Sequence, residues 1–199
     1  MSLQLTTERM AAFSDGVIAV IITVMVLELK VPANDLQDFD ALRKVLPMLV
    51  IYALSFVEVG IYWVNHHYLI DDVKQVSHGL LWANLGFLFT LSLIPFGTAW
   101  VGERGLTPFA LSLYLVCCAL SAISWIVLAI VVRQRTQISL ADSPIKQAIS
   151  LALYLGVIPV SYHSVAAAMV MLTAVAVLWL IPPKRVLEMT HAKSRDLQT

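Results

Sequence analysis

The sequence predicts an all-α, polytopic membrane protein with six transmembrane helices. Of its 199 residues, 59% are hydrophobic and 13% are charged, whereas soluble domains carry about 25% charged residues. A membrane-spanning helix needs about 20 mostly apolar residues, and the chain contains six apolar stretches near that length. We expect one transmembrane domain over residues 1–199, and the zero net charge gives no indication of a nucleic-acid partner.

The six predicted spans are bounded by polar residues and by prolines. The fifth is the weakest, because it is short, follows Ser143-Pro144 and is closed by Pro159, so a half-buried hairpin remains an alternative there. Since the loops are short, we expect consecutive helices to be antiparallel neighbours. The spans are residues 9–29, 45–70, 79–101, 106–132, 145–160 and 163–181.

Basic residues predict the orientation of the chain in the membrane. With the N-terminus inside, nine of the 13 Lys and Arg residues fall on cytoplasmic segments and four on the outside. Because cytoplasmic loops carry an excess of basic residues, we expect both termini in the cytoplasm of a cell whose inner membrane holds the protein. The first span lacks the features of a cleavable signal peptide.

The start of the first span carries the most informative residues. Arg9, Phe13, Ser14 and Asp15 immediately precede an apolar run, and an ionisable group at such a position is costly unless it is paired, hydrogen-bonded or hydrated. Partners at the same membrane depth are expected at the end of the second helix and the start of the third. Asp15 or Ser14 is expected to accept a hydrogen bond from one of Trp63, His66, His67, Trp82 and Asn84.

A helical wheel places an apolar stripe on the first helix away from these polar groups. Phe13, Val20 and Leu27 are seven residues apart and so differ by only about 20° per step, whereas Asp15 lies about 140° from Val20. Such a stripe is usually ordinary packing. The polar residues behind it, however, would hold the helix in one rotation and leave the stripe free to face another surface.

The Arg9-x-x-x-Phe13-Ser14-Asp15 motif at the start of the first of six spans resembles the signature of the transmembrane protein 175 family, the potassium channels of endosomes and lysosomes and their bacterial relatives. The resemblance covers the whole chain in length, span number and motif position. With a single six-span repeat, the chain resembles the bacterial members of the family, which assemble as homotetramers. The resemblance therefore implies that K⁺ and other monovalent cations pass through a central pore lined by the first helix.

The resemblance also implies where the pore is narrow. Bulky aliphatic side chains form the family's constriction at positions matching Val20, Val24 and Leu27, and a threonine matching Thr23 contributes to selectivity. Val20 departs from the more usual Ile or Leu. The chain has no TVGYG-type loop, whose carbonyls replace the water of K⁺ in strongly selective channels. Since K⁺ is less strongly hydrated than Na⁺, we expect modest potassium selectivity.

Other functions are weighed against the channel. A proton-coupled or secondary cation transporter could use Asp15, Glu58 and the histidines, but inverted repeats and paired broken helices are not evident in the sequence. An enzyme is not expected, because a nucleophile–base pair is not apparent. Zinc-compatible side chains do occur together, but without a helical ligand spacing, so we expect neither a metal nor a cofactor; they are His66, His67, Asp71, Asp72 and His78.

Two features inside the predicted spans allow more than one interpretation. Glu58 lies in the middle of the second span and is expected to pair with a neighbouring helix or to stay protonated, with a proton path as the alternative. Cys117 and Cys118 are adjacent, and neighbours on a helix point about 100° apart. We interpret both cysteines as small apolar side chains rather than as a disulfide.

Overall fold

The computed structural model describes residues 6–30, 38–71, 73–134 and 144–180. All of the regular structure in these segments is helical. α3 and α4 are separated by a two-residue turn and together form one bent rod, so the helices make six rods. They are α1 Thr7–Leu27, α2 Asp38–Asp71, α3 His78–Leu91, α4 Ile94–Arg104, α5 Pro108–Arg133, α6 Pro144–His163 and α7 Val165–Leu180.

Four rods in the described segments are long and apolar enough to cross a membrane: Thr7–Leu27, Asp38–Asp71, His78–Arg104 and Pro108–Arg133. The all-helical class with several apolar spans is therefore confirmed. α7 is shorter than these four rods, and the count of six spans stays a prediction.

The third predicted span, residues 79–101, is not one straight helix. It bends after Leu91, and α4 restarts with Pro95 in its first turn. Proline has no N–H with which to bond the carbonyl four residues earlier, so the helical ladder is interrupted there. Ser92 Oγ donates to the carbonyl of Phe89 at 2.7 Å and satisfies one acceptor at the break.

The boundary between the fifth and sixth spans also lies at a different residue from the predicted one. Pro159 does not close α6, which continues through it to His163, the residue predicted to open the sixth span. Ser164 separates the two helices, and its Oγ accepts from the Ala167 N–H at 3.2 Å at the start of α7. A serine in this position satisfies an N–H that a helix start would otherwise leave unbonded.

α5 is the central helix of the subunit and α1 lies at its edge. Of the apolar window of α5, 56% is buried within the subunit, against 28% for α1. α5 packs against α3, α4 and α6, while α1 packs against α2, α3 and α4. α4 approaches α5 closely at Gly97, where an added Cβ would lie 3.0 Å from Tyr114 Cα. α1 therefore has one packed face and one face that the subunit leaves uncovered.

Candidate functional site

The start of α1 is fixed to the segment that follows α2. Thr6 caps the helix by accepting from the Arg9 N–H at 3.4 Å, and Glu8 in the first turn suits the positive end of the helix dipole. The Thr7 hydroxyl donates to the carbonyl of Val73 at 2.9 Å. These contacts place the motif residues at the same level as the end of α2 and the start of α3.

Ser14 is joined to α2 and α3 by a buried chain of hydrogen bonds. His66 Nε2 donates to Asn84 Oδ1 at 2.8 Å, and Asn84 Nδ2 donates to Ser14 Oγ at 2.9 Å. Ser14 Oγ in turn donates to the carbonyl of Met10 at 2.9 Å. All three side chains are at most 2% exposed, and His66 stacks on Phe87. Because each link is satisfied, the chain holds α1 at one depth and rotation.

Asp15 makes a separate contact at the edge of this chain. Trp63 Nε1 on α2 donates to Asp15 Oδ1 at 3.0 Å. Asp15 is partly exposed, so its carboxylate is not enclosed as Ser14 is. We call Ser14, Asp15, Trp63, His66 and Asn84 the anchor network.

Two residues expected as partners of Ser14 or Asp15 lie elsewhere. His67 is exposed, and its ring contacts Tyr68 rather than α1. Trp82 is also exposed, and its Nε1 donates to His78 Nε2 on its own helix at 3.1 Å. Arg9 and Phe13 of the motif point away from the network and are exposed.

The other end of α1 is tied to α4 by a contact that sequence reasoning missed. Lys30 forms an ion pair with Glu103 near the end of α4. The hydrogen bond to Glu103, and its charge, raise the pKa of Lys30. Both residues are polar and follow apolar runs, but their sequence separation of 73 residues gave no sign that they pair.

The face of α1 opposite the anchor network carries every residue predicted to line a pore. Phe13, Val20 and Leu27 are 55%, 59% and 75% exposed, and Val24 is also exposed. Gly16, Ala19 and Thr23 lie on the same uncovered face. By contrast Ser14, Ile18, Ile21 and Met25 are buried against the subunit. We call the residues Phe13, Val20, Thr23, Val24 and Leu27 the α1 stripe.

Thr23 contributes the polar group of this stripe. Its hydroxyl donates back to the carbonyls of Ala19 and Val20, at 2.9 and 3.0 Å. Since the hydroxyl hydrogen is engaged with the helix, the remaining lone pairs of the oxygen stay available to a cation or a water.

Glu58 accepts hydrogen bonds from residues on two neighbouring helices. Tyr154 on α6 donates to Glu58 Oε1 at 3.1 Å, while Tyr114 and Cys118 on α5 each donate to Oε2 at 3.3 Å. Cys118 is therefore a hydrogen-bond donor as well as a small buried side chain. Ser55 extends the group, since it contacts both Tyr114 Oη at 3.1 Å and Thr98 Oγ1 at 2.8 Å.

The sequence contained one clue to this group, which we call the acid cluster (Ser55, Glu58, Thr98, Tyr114, Cys118 and Tyr154). Tyr114 and Cys118 are four residues apart and share one face of α5. The pattern did not indicate that this face meets Glu58.

The histidines near the end of α2 are not arranged as a metal site. Within the described segments, no group of three or more His, Cys, Asp or Glu residues is placed to hold a metal ion. His66 is engaged with Asn84, and His78 accepts from Trp82. Asp72 lies outside the described residues.

The chain is similar in sequence to known channel proteins. The family described as endosomal/lysosomal potassium channel TMEM175 matches residues 9–95, the segment that contains most of α1, the anchor network and α3. The potassium channel HX13_20290 of Chryseobacterium sp. is 40% identical over 187 residues, covering 92% of this chain and 96% of its relative.

A solved structure and a more distant relative extend the comparison. The crystal structure of a lysosomal potassium-selective channel TMEM175 homolog from Chamaesiphon minutus has a TM-score of 0.71 and 27% identity, covering 88% of this chain and 96% of that chain. The mouse protein named endosomal/lysosomal proton channel TMEM175 is 28% identical over 115 residues, which are 56% of this chain and 23% of the mouse protein.

The similarities to the Chryseobacterium and Chamaesiphon proteins span nearly the whole chain, and the family match includes most of the anchored first helix. The family consists of membrane channels rather than enzymes, and its apolar helices make this a multi-pass membrane protein. The chain belongs to the TMEM175 channel family.

Proposed function

We propose that this chain forms a potassium-permeable cation channel as a homotetramer, with α1 of each subunit facing a central pore. The observation that carries the proposal is the division of α1 into two faces. One face is packed and hydrogen-bonded through the anchor network, and the other exposes an aliphatic stripe with one hydroxyl. The names of the relatives, potassium channels in Chryseobacterium and Chamaesiphon, support potassium as the ion.

The α1 stripe is proposed to form the constriction. Rings of Val20, Val24 and Leu27 offer no ligands to an ion, so conduction requires the ion to shed water partly or the narrow segment to become wet. Potassium, which holds its water less strongly than sodium, is favoured at such a barrier. Four Thr23 oxygens return part of the lost coordination, since each hydroxyl hydrogen already bonds its own helix.

The proposed orientation of the chain in the membrane follows from the distribution of its basic residues. With the anchor end of α1 at the cytoplasmic face, nine of 13 basic residues are cytoplasmic. We propose the inner membrane of a bacterium as the location, with both termini inside. Asp38 and Asp40 in the first turn of α2 then face the outside, where their charge attracts cations.

Reconstituted protein in planar bilayers tests the proposal. Wild-type currents should reverse near the potassium equilibrium potential in a potassium gradient. Val20→Asn and Leu27→Asn should each raise conductance and lower the preference for potassium over sodium, because an amide wets the narrow segment. Val116→Asn, the same change at an exposed position of α5, is the control and should leave both unchanged.

Two results would contradict the proposal. Unchanged currents in both α1 variants would remove this helix from the pore. A reversal potential that follows a pH gradient instead of the potassium gradient would favour the proton-coupled transporter, or the proton conduction named for the mouse relative.

A further inference from the structure

A small cavity between α2, α5, α6 and α7 reaches the acid cluster at Glu58. Its volume is about 30 Å³, and a buried water needs about 10–15 Å³ of such space. The cavity therefore has room for about two waters. Its walls are partly polar away from Glu58, where Asn65 of α2 and Gln147 and Ser150 of α6 contribute to the lining. Size and polarity together suit water rather than a larger molecule.

The indole of Trp125 is a buried donor in this lining. Trp125 is 4% exposed, and its Nε1–H has no hydrogen-bond partner among the described residues. Its ring centroid lies 5.8 Å from that of Tyr62, which is one helical turn from Glu58. Buried donors are nearly always satisfied, and ordered water commonly bonds the groups that the protein leaves unpaired. A water in the cavity is therefore expected to accept from Trp125.

Glu58 keeps an acceptor position that a cavity water can use. An ionised carboxylate has about four such positions, two on each oxygen. Tyr154 donates to Oε1, while Tyr114 and Cys118 donate to Oε2. Since Oε1 accepts one bond from the protein, it can accept one more from water.

Two opposing effects act on the charge of Glu58. Glu58 is 7% exposed, and burial disfavours a carboxylate, whereas hydrogen-bond donors favour one. Among the described residues that line the cavity none is Lys, Arg or His, and the ammonium group of Lys146 lies over the Trp179 ring, 5.2 Å from its centroid. Neither α4 nor α7 brings a titratable residue to the described lining. The titratable groups around Glu58 are phenols and thiols, namely Tyr62 of α2, Tyr114, Cys117 and Cys118 of α5, and Tyr154 of α6. Because this lining supplies no cation, a proton is the ligand that neutralises the acid.

We propose that the cavity is a water inlet through which Glu58 binds and releases a proton. One water accepts from Trp125 Nε1–H, and a water donates to Glu58 Oε1. On uptake, a proton passes from bulk water along these waters to Oε1, and the new O–H donates back to the nearest water; release is the reverse. The lining runs from Tyr154 to Gln147, seven residues back along α6, a distance of about 10 Å. All lining residues belong to α2, α5, α6 and α7, so this proton site is separate from the α1 stripe.

Infrared difference spectroscopy on the full-length protein in lipid bilayers tests the proton site. A neutral carboxyl group has a C=O band that a carboxylate lacks. In wild type we expect such a band to appear and disappear reversibly between about pH 4 and pH 9. The band should be absent from Glu58→Gln and present in Glu103→Gln, which changes an exposed acid outside the cavity. Identical pH difference spectra for wild type and Glu58→Gln would overturn the proposal, because Glu58 would then keep one charge.

Transfer into heavy water tests the inlet. The carboxyl band of wild type should shift promptly as its proton is replaced by deuterium, and this measurement needs no variant to fold. Ala176→Val adds two methyl groups to the cavity wall, displaces water, and should slow the shift at least about tenfold. Ala174→Val makes the same change at an exposed position of α7 and should leave the rate unchanged. A wild-type band that does not exchange, or equal rates in Ala176→Val and wild type, would overturn the inlet.

A density map that resolves ordered waters tests the contact with Trp125. Wild type should show a water about 2.7–3.2 Å from Trp125 Nε1, and Trp125→Phe should lose it. A dry cavity in wild type, or one filled by a lipid chain, would overturn the proposal. Because infrared spectra and density maps need no ion flow, this inference and the pore proposal can fail separately.

Discussion

Two acidic residues near helix interfaces, Asp15 and Glu58, have different surroundings. Asp15 is partly exposed at the start of α1 and takes one indole N–H from Trp63. Glu58 is enclosed between α2, α5 and α6 and takes three donors. Asp15 therefore retains water as a second source of stabilisation, whereas Glu58 depends on protein donors.

The surroundings of the two acids also differ in how completely they are packed. Next to Asp15, the chain Ser14–Asn84–His66 is closed and satisfied, which suits a device that fixes the rotation of α1. Next to Glu58 lie a small cavity and the Trp125 N–H, which has no hydrogen-bond partner among the described residues. Three substitutions test how far the two regions differ in free energy of unfolding, and a fourth tests the ion pair at the far end of α1.

Removing the enclosed acid should have the largest effect. Glu58→Ala leaves Tyr114, Tyr154 and Cys118 without their acceptor, and each stranded buried group costs about 1–3 kcal/mol. We expect a loss of about 3 kcal/mol or more, seen as a lower midpoint of thermal unfolding in detergent. Asp15→Ala is the control and should lose less, because water can reach the Trp63 indole. An equal loss would contradict the contrast.

Breaking the anchor chain at its centre should come next. Asn84→Leu keeps the branched shape but strands His66 Nε2 and removes the donor to Ser14 Oγ, at a cost of about 2 kcal/mol or more. Since α1 then loses its fixed rotation, potassium currents in bilayers should fall as well. Asn65→Leu makes the same change at a residue whose amide bonds only its own helix, at the carbonyl of Ile61, and should do less. If the two variants behave alike, Asn84 is not an anchor.

Removing the donor to Asp15 should have a smaller effect. Trp63→Phe deletes one partly exposed hydrogen bond and keeps an aromatic ring, so we expect a loss of about 0.5–1.5 kcal/mol in the free energy of unfolding, measured by thermal unfolding. Trp82→Phe removes an indole that bonds only His78 on its own helix, and its loss should be smaller still. A larger loss in Trp82→Phe would reverse the assignment of the two indoles.

The ion pair at the far end of α1 should contribute least. Lys30 and Glu103 are both exposed, and exposed pairs contribute little because water screens them. Lys30→Gln should change the midpoint of thermal unfolding at neutral pH no more than Lys74→Gln does. Lys74 is an exposed lysine near the start of α3. Because the pKa of Lys30 is raised above 10.5, any contribution is present at neutral pH and lost only above that value. A clear drop at neutral pH would show that the pair holds α1.

Sequence reasoning placed the right segments together but not the individual bonds. It predicted that the motif of α1 would meet the end of α2 and the start of α3, because short loops return each helix to the same membrane face. It could not choose between His66 and His67, since neighbours on a helix point about 100° apart and the choice depends on how α2 is rotated. The bend at Ser92-Leu93 was missed, although Pro95 was a signal for it.

Composition and hydropathy by themselves determined that this is a helical membrane protein, because a chain this apolar must bury its backbone polar groups in helices to enter lipid. The Arg9–Asp15 motif, with its position in the first span, determined the family resemblance. Only the tertiary structure decided that Glu58 meets Tyr114, Cys118 and Tyr154, and that Lys30 meets Glu103. Those contacts depend on helix rotation and bending, which arise from packing between segments far apart in sequence and leave no local pattern.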